Sequence, residues 1–332
     1  MLALWDTTGA EVVRKLAAER HSAGGVASGL ALTLVVVVDE ARVRGVEDAA
    51  TIAAASHPCR LIIVSRALKN PHQTGPDTVD RLDAEIIVGG RLGPCEAVAL
   101  RMHGLLSYHA ESVVMPLLAP DVPVVTWWHG TPPDRIADDP LGVVAERRIT
   151  DVRQADDPQA ALRQRAEDYA PGDTDLAWTR ITPWRTLLAG ALDTSTAPVT
   201  AATVVGGAGD PSVSLLAGWL AARLGLTPAF ETSSTGVLEQ VRLRVGDEDL
   251  TLTRRHNTCT LTRTGVGDRT LPLVTRRLGD ELAEELRRLD ADQPYAAALS
   301  AATGVTGLND RPAVRGLSQK AARRQATVKV PT

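Results

Sequence analysis

Aromatic residues are scarce in this chain, which has 332 residues and only 3% Phe, Trp and Tyr. Six tryptophans outnumber the three tyrosines and the single phenylalanine, Phe230. A core with so few rings must be built mainly from Val, Leu, Ile and Ala. Each tryptophan therefore has a position that needs a physical reason.

Cysteines and long apolar stretches are also few. Cys59, Cys95 and Cys259 do not make a disulfide framework, and the chain has no Cys-x-x-Cys pair of the kind used by zinc or dithiol sites. The first residues lack the pattern of a signal peptide, and the longest apolar stretch, 30–38, is about half the length of a membrane helix. We therefore expect a cytoplasmic protein without a membrane segment.

A basic excess is missing as well. The formal net charge is −4, whereas a surface that binds nucleic acid usually shows a surplus of Lys and Arg. Nucleic acid is therefore not an expected partner.

The hydrophobic pattern predicts an α/β fold with two domains. Stretches 30–38 and 60–65 are apolar without polar alternation, which is typical of parallel strands covered on both faces. Strands are also predicted at 82–88 and 96–102, in an orientation that the sequence leaves open, and helices at 108–118, 141–147 and 275–289. Short alternating stretches between residues 238 and 273 predict an antiparallel meander.

These elements predict an N-terminal domain, 1–170, with a mostly parallel sheet and flanking helices, and a C-terminal α+β domain, 171–306, that contains the meander. Residues 307–332 hold six Lys or Arg and one Asp, and they predict a flexible basic tail. Exposed strand edges in the second domain leave self-association open.

Motifs for catalysis are weak. The chain has no His-x-x-x-His pair and no Gly-x-Ser-x-Gly elbow. His57 lies near Cys59, but a thiol that enters a buried strand is more often a small apolar side chain than a nucleophile. We expect no catalytic residue, no cofactor and no metal.

A glycine-rich turn, 206–212, lies between a predicted strand and a predicted helix, where phosphate-binding loops occur. It lacks the Lys-Ser/Thr pair of a P-loop and the third glycine of the dinucleotide motif, and Asp210 adds a negative charge. The favoured interpretation is a plain turn capped by Asp210 or Ser212, with anion binding as the alternative.

The middle of the chain concentrates tryptophan and arginine, the residue types most enriched at interface hot spots. A structural alternative is that Trp178 and Trp184 cover the join between the domains while Arg and Asp pair with each other. The predicted recognition residues, for a partner or a ligand, are Trp127, Trp128, Arg148, Asp151, Asp173, Asp175, Trp178, Arg180, Trp184 and Arg185.

The same region resembles a known family. The segments that carry the resemblance are RITD at 148–151, PGDTDLAWTRITPWR at 171–185, HPCR at 57–60, SVVMP at 112–116 and PVVTWW at 123–128. They resemble the glucose-6-phosphate dehydrogenase assembly (OpcA) family, over about residues 5–300. His129 departs from the pattern, in which proline is more usual after the paired Trp.

The resemblance implies a non-catalytic protein that binds glucose-6-phosphate dehydrogenase, an enzyme of the oxidative pentose phosphate pathway, as an assembly factor or allosteric activator. On this hypothesis, Trp184→Ala or Arg185→Ala abolishes activation and leaves the fold intact. The alternative is an α/β protein that binds a sugar phosphate or nucleotide, or has weak activity of its own, with Arg148, Arg180 and Arg185 clamping the phosphate. A sugar-phosphate effector that modulates docking would combine the two.

Overall fold

The computed structural model describes residues 1–22, 29–39, 43–66, 79–89, 96–193 and 195–313. Two compact units are present, and both are discontinuous in sequence. The first contains Met1–Thr150 and Arg277–Ala291, and the second contains Asp151–Arg276 and Asp292–Pro312. The predicted domains, 1–170 and 171–306, have other bounds than these units and stay a prediction.

The strands are β1 (Leu2–Leu4), β2 (Leu32–Asp39), β3 (Cys59–Arg66), β4 (Arg81–Val88), β5 (Glu96–His103), β6 (Val124–His129), β7 (Arg147–Thr150), β8 (Asp173–Asp175), β9 (Val199–Gly206), β10 (Ala229–Thr232), β11 (Gln240–Val245), β12 (Glu248–Arg255), β13 (Thr258–Arg263) and β14 (Val266–Pro272).

The helices are α1 (Gly9–Ser22), α2 (Val43–Ser56), α3 (Ala110–Val114), α4 (Pro140–Val143), α5 (Pro158–Asp168), α6 (Leu176–Arg180), α7 (Thr182–Leu192), α8 (Pro211–Leu224), α9 (Leu278–Glu285) and α10 (Gln293–Thr303).

The first unit is built on a mostly parallel sheet, as predicted. Its strands follow the order β1-β4-β5-β3-β2-β6-β7, in which β5, β3, β2, β6 and β7 are parallel and β4 is antiparallel to both β5 and β1. Every residue of β2 except Asp39 is buried. The missing polar alternation in this strand is therefore explained by cover on both faces.

Helix α9 comes from late in the sequence but packs on α2 within the first unit. Gly279 permits this close approach, because a Cβ at that position would lie 2.6 Å from Cβ of Ile52 and 2.9 Å from the Ala49 carbonyl oxygen. The buried Arg147 at the start of β7 forms an ion pair with Glu285 of α9 and donates to the Asp290 carbonyl oxygen at 2.7 Å. The segment that contains α9 is thus part of the first unit's core.

The second unit contains a mixed sheet in the order β10-β9-β11-β12-β13-β14. Strands β11–β14 form the predicted antiparallel meander. Strand β9 pairs antiparallel with β11, and β10 adds a parallel edge strand to β9. The apolar face of the sheet alternates regularly, with Val241 and Leu243 in β11 and Leu250 and Leu252 in β12 all buried. Helices α8 and α10 pack against each other in the same core.

Edge strand β14 is exposed at every position except the half-buried Leu271. It carries Gly267, Asp268, Arg269 and Pro272, residue types that hinder pairing with another strand. Self-association through this edge is disfavoured, and self-association in general stays a prediction.

Two helix predictions are wrong in detail. Residues 108–118 do not form one helix, because His109 adopts a non-helical backbone (φ −121°, ψ 38°) between a 3-10 helix at Gly104–Tyr108 and α3. The helix predicted at 141–147 ends early: α4 spans Pro140–Val143, and Arg147 already begins β7, which pairs with β6. A helix of one turn and a strand of four residues are both too short for the hydrophobic periodicity of the sequence to distinguish helix from strand.

The predicted basic tail lies mostly outside the described residues, which end at 313. Its first part forms a 3-10 helix, Leu308–Asp310, with Leu308 buried, and Arg311 donates to the carbonyl oxygens of Glu167 and Tyr169 at 2.9 Å each. Residues 307–312 therefore belong to the second unit. Within the described ranges, no helix combines the length and the apolar character needed to cross a bilayer.

Candidate functional site

The four tryptophans predicted to form a recognition surface are buried. Trp127 and Trp128 lie in β6 and are 0% and 1% exposed, and Trp178 and Trp184 lie in α6 and α7 at 1% each. Their rings are therefore not available for direct contact with a partner. This corrects the assignment of these residues to a docking surface.

Arg148 of β7 is also engaged inside the fold. Its guanidinium donates to the Ala145 carbonyl oxygen at 2.8 Å and to the Gly142 carbonyl oxygen at 3.5 Å, and the residue is 1% exposed. It satisfies the carbonyl groups at the end of α4, which is a structural role.

Asp173 and Asp175 hold the backbone of the second unit. Asp175 accepts hydrogen bonds from the amides of Ala177 (2.8 Å) and Val152 (2.9 Å), so that it caps α6 and fixes the preceding segment. Asp173 accepts from the Ala170 amide at 2.7 Å. Both carboxylates are buried and bound to backbone donors, which is the usual condition for a stable buried charge.

Asp151 and Arg180 form a two-bond ion pair. Both terminal nitrogens of Arg180 donate to the carboxylate, Nη1 to Oδ1 at 2.6 Å and Nη2 to Oδ2 at 2.7 Å, and Gln154 Nε2 donates to Oδ2 at 3.1 Å. Burial alone would raise the pKa of Asp151. The hydrogen bonds and charge of Arg180 outweigh burial and hold this pKa below its ordinary value.

Arg185 stacks on Trp178, with Cζ 3.5 Å from the ring centroid, and it donates to Thr182 Oγ1 at 2.8 Å. The indole Nε1 of Trp178 donates to Asp292 Oδ2 at 2.9 Å, and Asp292 in turn caps α10 through the Tyr295 amide. These contacts join α6, α7 and α10 into one polar network inside the second unit. Burial raises the pKa of Tyr295 well above its usual range, so its hydroxyl stays neutral.

The network therefore accounts for most of the predicted recognition residues, and it matches the alternative in which Arg and Asp pair with each other. Arg180 is bound by a carboxylate and Arg185 lies on an indole ring. A phosphate clamp made of Arg148, Arg180 and Arg185 would have to break these contacts, and Arg148 belongs to a different compact unit from the other two.

The glycine-rich turn at 206–212 is a capped strand-to-helix turn. Asp210 Oδ1 accepts from the Ser212 amide at 3.0 Å, and Oδ2 accepts from the Leu238 amide at 3.0 Å. The protein's own carboxylate therefore occupies the start of α8. The plain-turn interpretation is confirmed.

His57 and Cys59 are both held within the first unit. Cys59 is buried in β3, and His57 Nε2 lies 2.8 Å from the Ala283 carbonyl oxygen in the first unit. No group of three or more His, Cys, Asp or Glu side chains in the described part of the chain is placed to hold a metal ion.

Three residues that the sequence reasoning passed over stand out. Trp5 is 64% exposed and Phe230, on edge strand β10, is 61% exposed, although aromatics are rare in this chain. Arg254 lies on the same face of β12 as the buried Leu250 and Leu252, so a charged residue occupies a position where the alternation predicts an apolar one. The alternation of β12 was readable in the sequence and could have singled out Arg254; exposure of Phe230 could not be read from sequence.

Two family models match the chain, one after the other. Residues 50–167 match a model described as the N-terminal domain of a glucose-6-phosphate dehydrogenase subunit, and residues 171–299 match the corresponding C-terminal domain. Together they cover well over half of the chain.

Curated relatives are more distant. A protein from Synechococcus elongatus with the provisional name OxPP cycle protein OpcA is 27% identical over 59% of this chain and 47% of its own length. A protein from Synechocystis with the same provisional name is 26% identical over 56% of this chain and 41% of its own length. The chain thus spans less than half the length of these curated relatives.

Solved structures show only a general likeness. A UDP-N-acetylglucosamine 3-dehydrogenase from Acidithiobacillus ferrooxidans aligns with a TM-score of 0.37 at 12% identity, covering 82% of this chain and 96% of that one. An oxidoreductase from Sinorhizobium meliloti aligns with a TM-score of 0.40 at 12% identity, covering 86% and 94%. Similarity at this level carries no argument about activity.

Proposed function

The chain belongs to the OpcA family of glucose-6-phosphate dehydrogenase subunits, and on that premise we propose that it binds this dehydrogenase and acts as a non-catalytic assembly factor or allosteric activator. The observation that carries the proposal is the pair of consecutive family matches, 50–167 and 171–299. The role is exerted through protein–protein contact in the cytoplasm, without a cofactor.

A structural rather than catalytic use of the polar residues supports this proposal. Hydrogen bonds within the fold engage these side chains: Asp173 and Asp175 accept from backbone amides, and Arg180 donates to Asp151. Groups held in this way stabilise the second unit and are not poised to exchange protons with a substrate.

We propose that the contact with the dehydrogenase lies on edge strand β10 and its exposed Phe230. All residues of β10 are exposed, and the strand pairs only with β9 among the described strands. It lies within the range matched by the C-terminal family model. An exposed aromatic ring on an open edge offers both apolar area and free backbone groups to a partner.

Co-purification with the dehydrogenase, followed by dehydrogenase kinetics with and without this chain, tests the proposal. We expect a stable complex and a higher rate or a more active oligomer in the presence of the chain. To shift a two-state partner tenfold, the chain must bind one state more tightly by about 1.4 kcal/mol. Absence of binding at all concentrations, or turnover of a substrate by the chain alone, would contradict it.

The variant Phe230→Ala tests the surface. Loss of an aromatic hot spot costs about 2 kcal/mol or more, which is roughly a thirtyfold loss of affinity, and the exposed position leaves the melting temperature unchanged. Trp5→Ala is the matched control, since Trp5 is equally exposed but lies outside both family matches. Equal activation by the wild type and Phe230→Ala would remove β10 from the interface.

The alternative, a protein with its own sugar-phosphate or nucleotide ligand, is not favoured by Arg148, Arg180 and Arg185, because their guanidinium groups already bind within the fold. Calorimetry of the isolated chain with glucose 6-phosphate, 6-phosphogluconate and NADP separates the two hypotheses. Heat of binding by a chain that forms no complex with the dehydrogenase would favour the alternative, whereas ligand binding together with complex formation is compatible with the proposed function.

A further inference from the structure

Arg254 is a cation on the apolar face of a sheet. In β12 it follows the buried Leu250 and Leu252 at intervals of two, and it lies opposite the buried Cys259 of β13. Directly opposed residues of an antiparallel pair point to the same face. The Arg254 side chain therefore extends over the core side of the sheet, where it is half-buried.

This cation has no anionic partner within the described ranges. Its Nε atom is buried without a hydrogen-bond acceptor, and no carboxylate of the described chain forms an ion pair with its guanidinium. The nearest aromatic contact is the ring of Trp184, whose centroid lies 5.8 Å from Cζ. By contrast, Arg242, Arg244 and Arg263 of the same sheet all pair with carboxylates.

Burial and neighbouring groups act on the Arg254 guanidinium in opposite directions. Burial, the largest effect, lowers its pKa; Asp210 and then Cys259 raise the pKa, and the positive charge of Arg153 adds a smaller lowering. Asp210 is already bound to the amides of Ser212 and Leu238. Arg153 is exposed and, like Arg254, has no ion-pair partner among the described residues.

An unpaired, half-buried guanidinium is unfavourable by itself, because desolvation is not offset by a partner. The guanidinium fork of Arg254, with a planar indole beside it, suits a phosphate group, which accepts two parallel N–H bonds from an arginine. We propose that Arg254, beside Trp184, binds the phosphate group of a small molecule, with Arg153 adding positive charge. The test of this site uses the chain alone and does not require the dehydrogenase.

The thermal stability of the full-length chain in inorganic phosphate tests the site, with chloride at equal ionic strength as reference. For the wild type we expect phosphate at ten times its Kd to raise the melting temperature by about 2–4 °C above chloride. Phosphate also stabilises proteins non-specifically by exclusion from their surface, so the comparison between variants decides.

Arg254→Met should lose this phosphate-specific increase and, in chloride, should melt at the wild-type temperature or above, since it removes an uncompensated charge. Arg244→Met is the matched control, because Arg244 lies on the same sheet but is exposed and paired with Asp249; it should keep the increase. An equal increase in all three proteins, or none in the wild type, would overturn the proposal.

A second variant covers the case in which Arg254→Met does not fold. Arg254→Lys keeps the charge but loses the fork, and it should weaken phosphate binding at least severalfold in equilibrium dialysis. Replacing inorganic phosphate by glucose 6-phosphate shows whether an attached sugar strengthens binding or leaves it unchanged; either result supports a phosphate site. Undiminished phosphate binding by Arg254→Lys together with Arg153→Gln would refute it.

Discussion

Replacing Asp151 by asparagine removes the charge that Arg180 binds and leaves the size of the side chain unchanged. The two hydrogen bonds of the pair measure 2.6 and 2.7 Å, and the side chains of Arg180 and Asp151 are 14% and 3% exposed. Loss of one partner from a buried pair costs about 3–5 kcal/mol. Because water still reaches Arg180, we expect about 3 kcal/mol for Asp151→Asn.

Removing both charges should cost less than removing one. In Asp151→Asn combined with Arg180→Met, no unpaired charge stays buried, so the free energy of unfolding should recover by about 1–2 kcal/mol relative to Asp151→Asn alone. This double-mutant cycle separates the attraction between the groups from the cost of leaving Arg180 without a carboxylate.

Denaturant unfolding followed by tryptophan fluorescence measures these differences, since Trp178 and Trp184 are buried in the same unit. Asp249→Asn is the control, because Asp249 pairs with Arg244 on the surface of the same unit, where an ion pair is worth about 0–1 kcal/mol. If Asp151→Asn costs no more than Asp249→Asn, the buried pair does not stabilise the unit and the reasoning fails.

Two further predictions concern the same unit. Because the pKa of Asp151 is lowered in the folded state, its contribution to stability is complete above the ordinary Asp pKa of about 3.9 and is lost as the pH falls through the lower folded pKa. The difference in denaturation midpoint between wild type and Asp151→Asn should therefore be constant from pH 7 to about 5 and should shrink below about pH 4. A difference that already shrinks at pH 6 would contradict this. Trp184→Ala leaves a cavity in the core and should lower the free energy of unfolding by about 3–5 kcal/mol, whereas replacing the exposed Trp5 by Ala should change it by about 0.5 kcal/mol or less. Equal denaturation midpoints for the two variants would contradict the burial of Trp184.

Long buried elements could be predicted from the sequence because their residues are apolar wherever they face the core. The apolar stretch at 30–38 correctly predicted a covered parallel strand, observed at Leu32–Asp39. A helix cap by Asp210 or Ser212 was correctly expected because capping is a local effect, and Asp210 provides it. Strand β10 was missed because all of its residues are exposed and leave no apolar pattern.

The burial of the tryptophans could not be derived in the same way. Trp is frequent both at interfaces and in cores, and the sequence around Trp178 and Trp184 does not distinguish these cases. Their surroundings depend on contacts between distant positions, such as the bond from Trp178 to Asp292 and the pair of Arg180 with Asp151. A helix near residue 280 was predictable, but its place in the first unit was not.

The late return of α9 into the first unit has a consequence for synthesis on the ribosome. The ion pair of Arg147 with Glu285 cannot form until Glu285, 138 residues later, has been synthesised. At about 5–20 residues per second, synthesis of this segment takes roughly 7–28 s. Throughout that interval the face of α2 at Ala49 and Ile52 lacks the helix that covers it. A nascent chain that stalls before residue 277 therefore presents an unfinished apolar surface, on which chaperones can act and from which aggregation can begin.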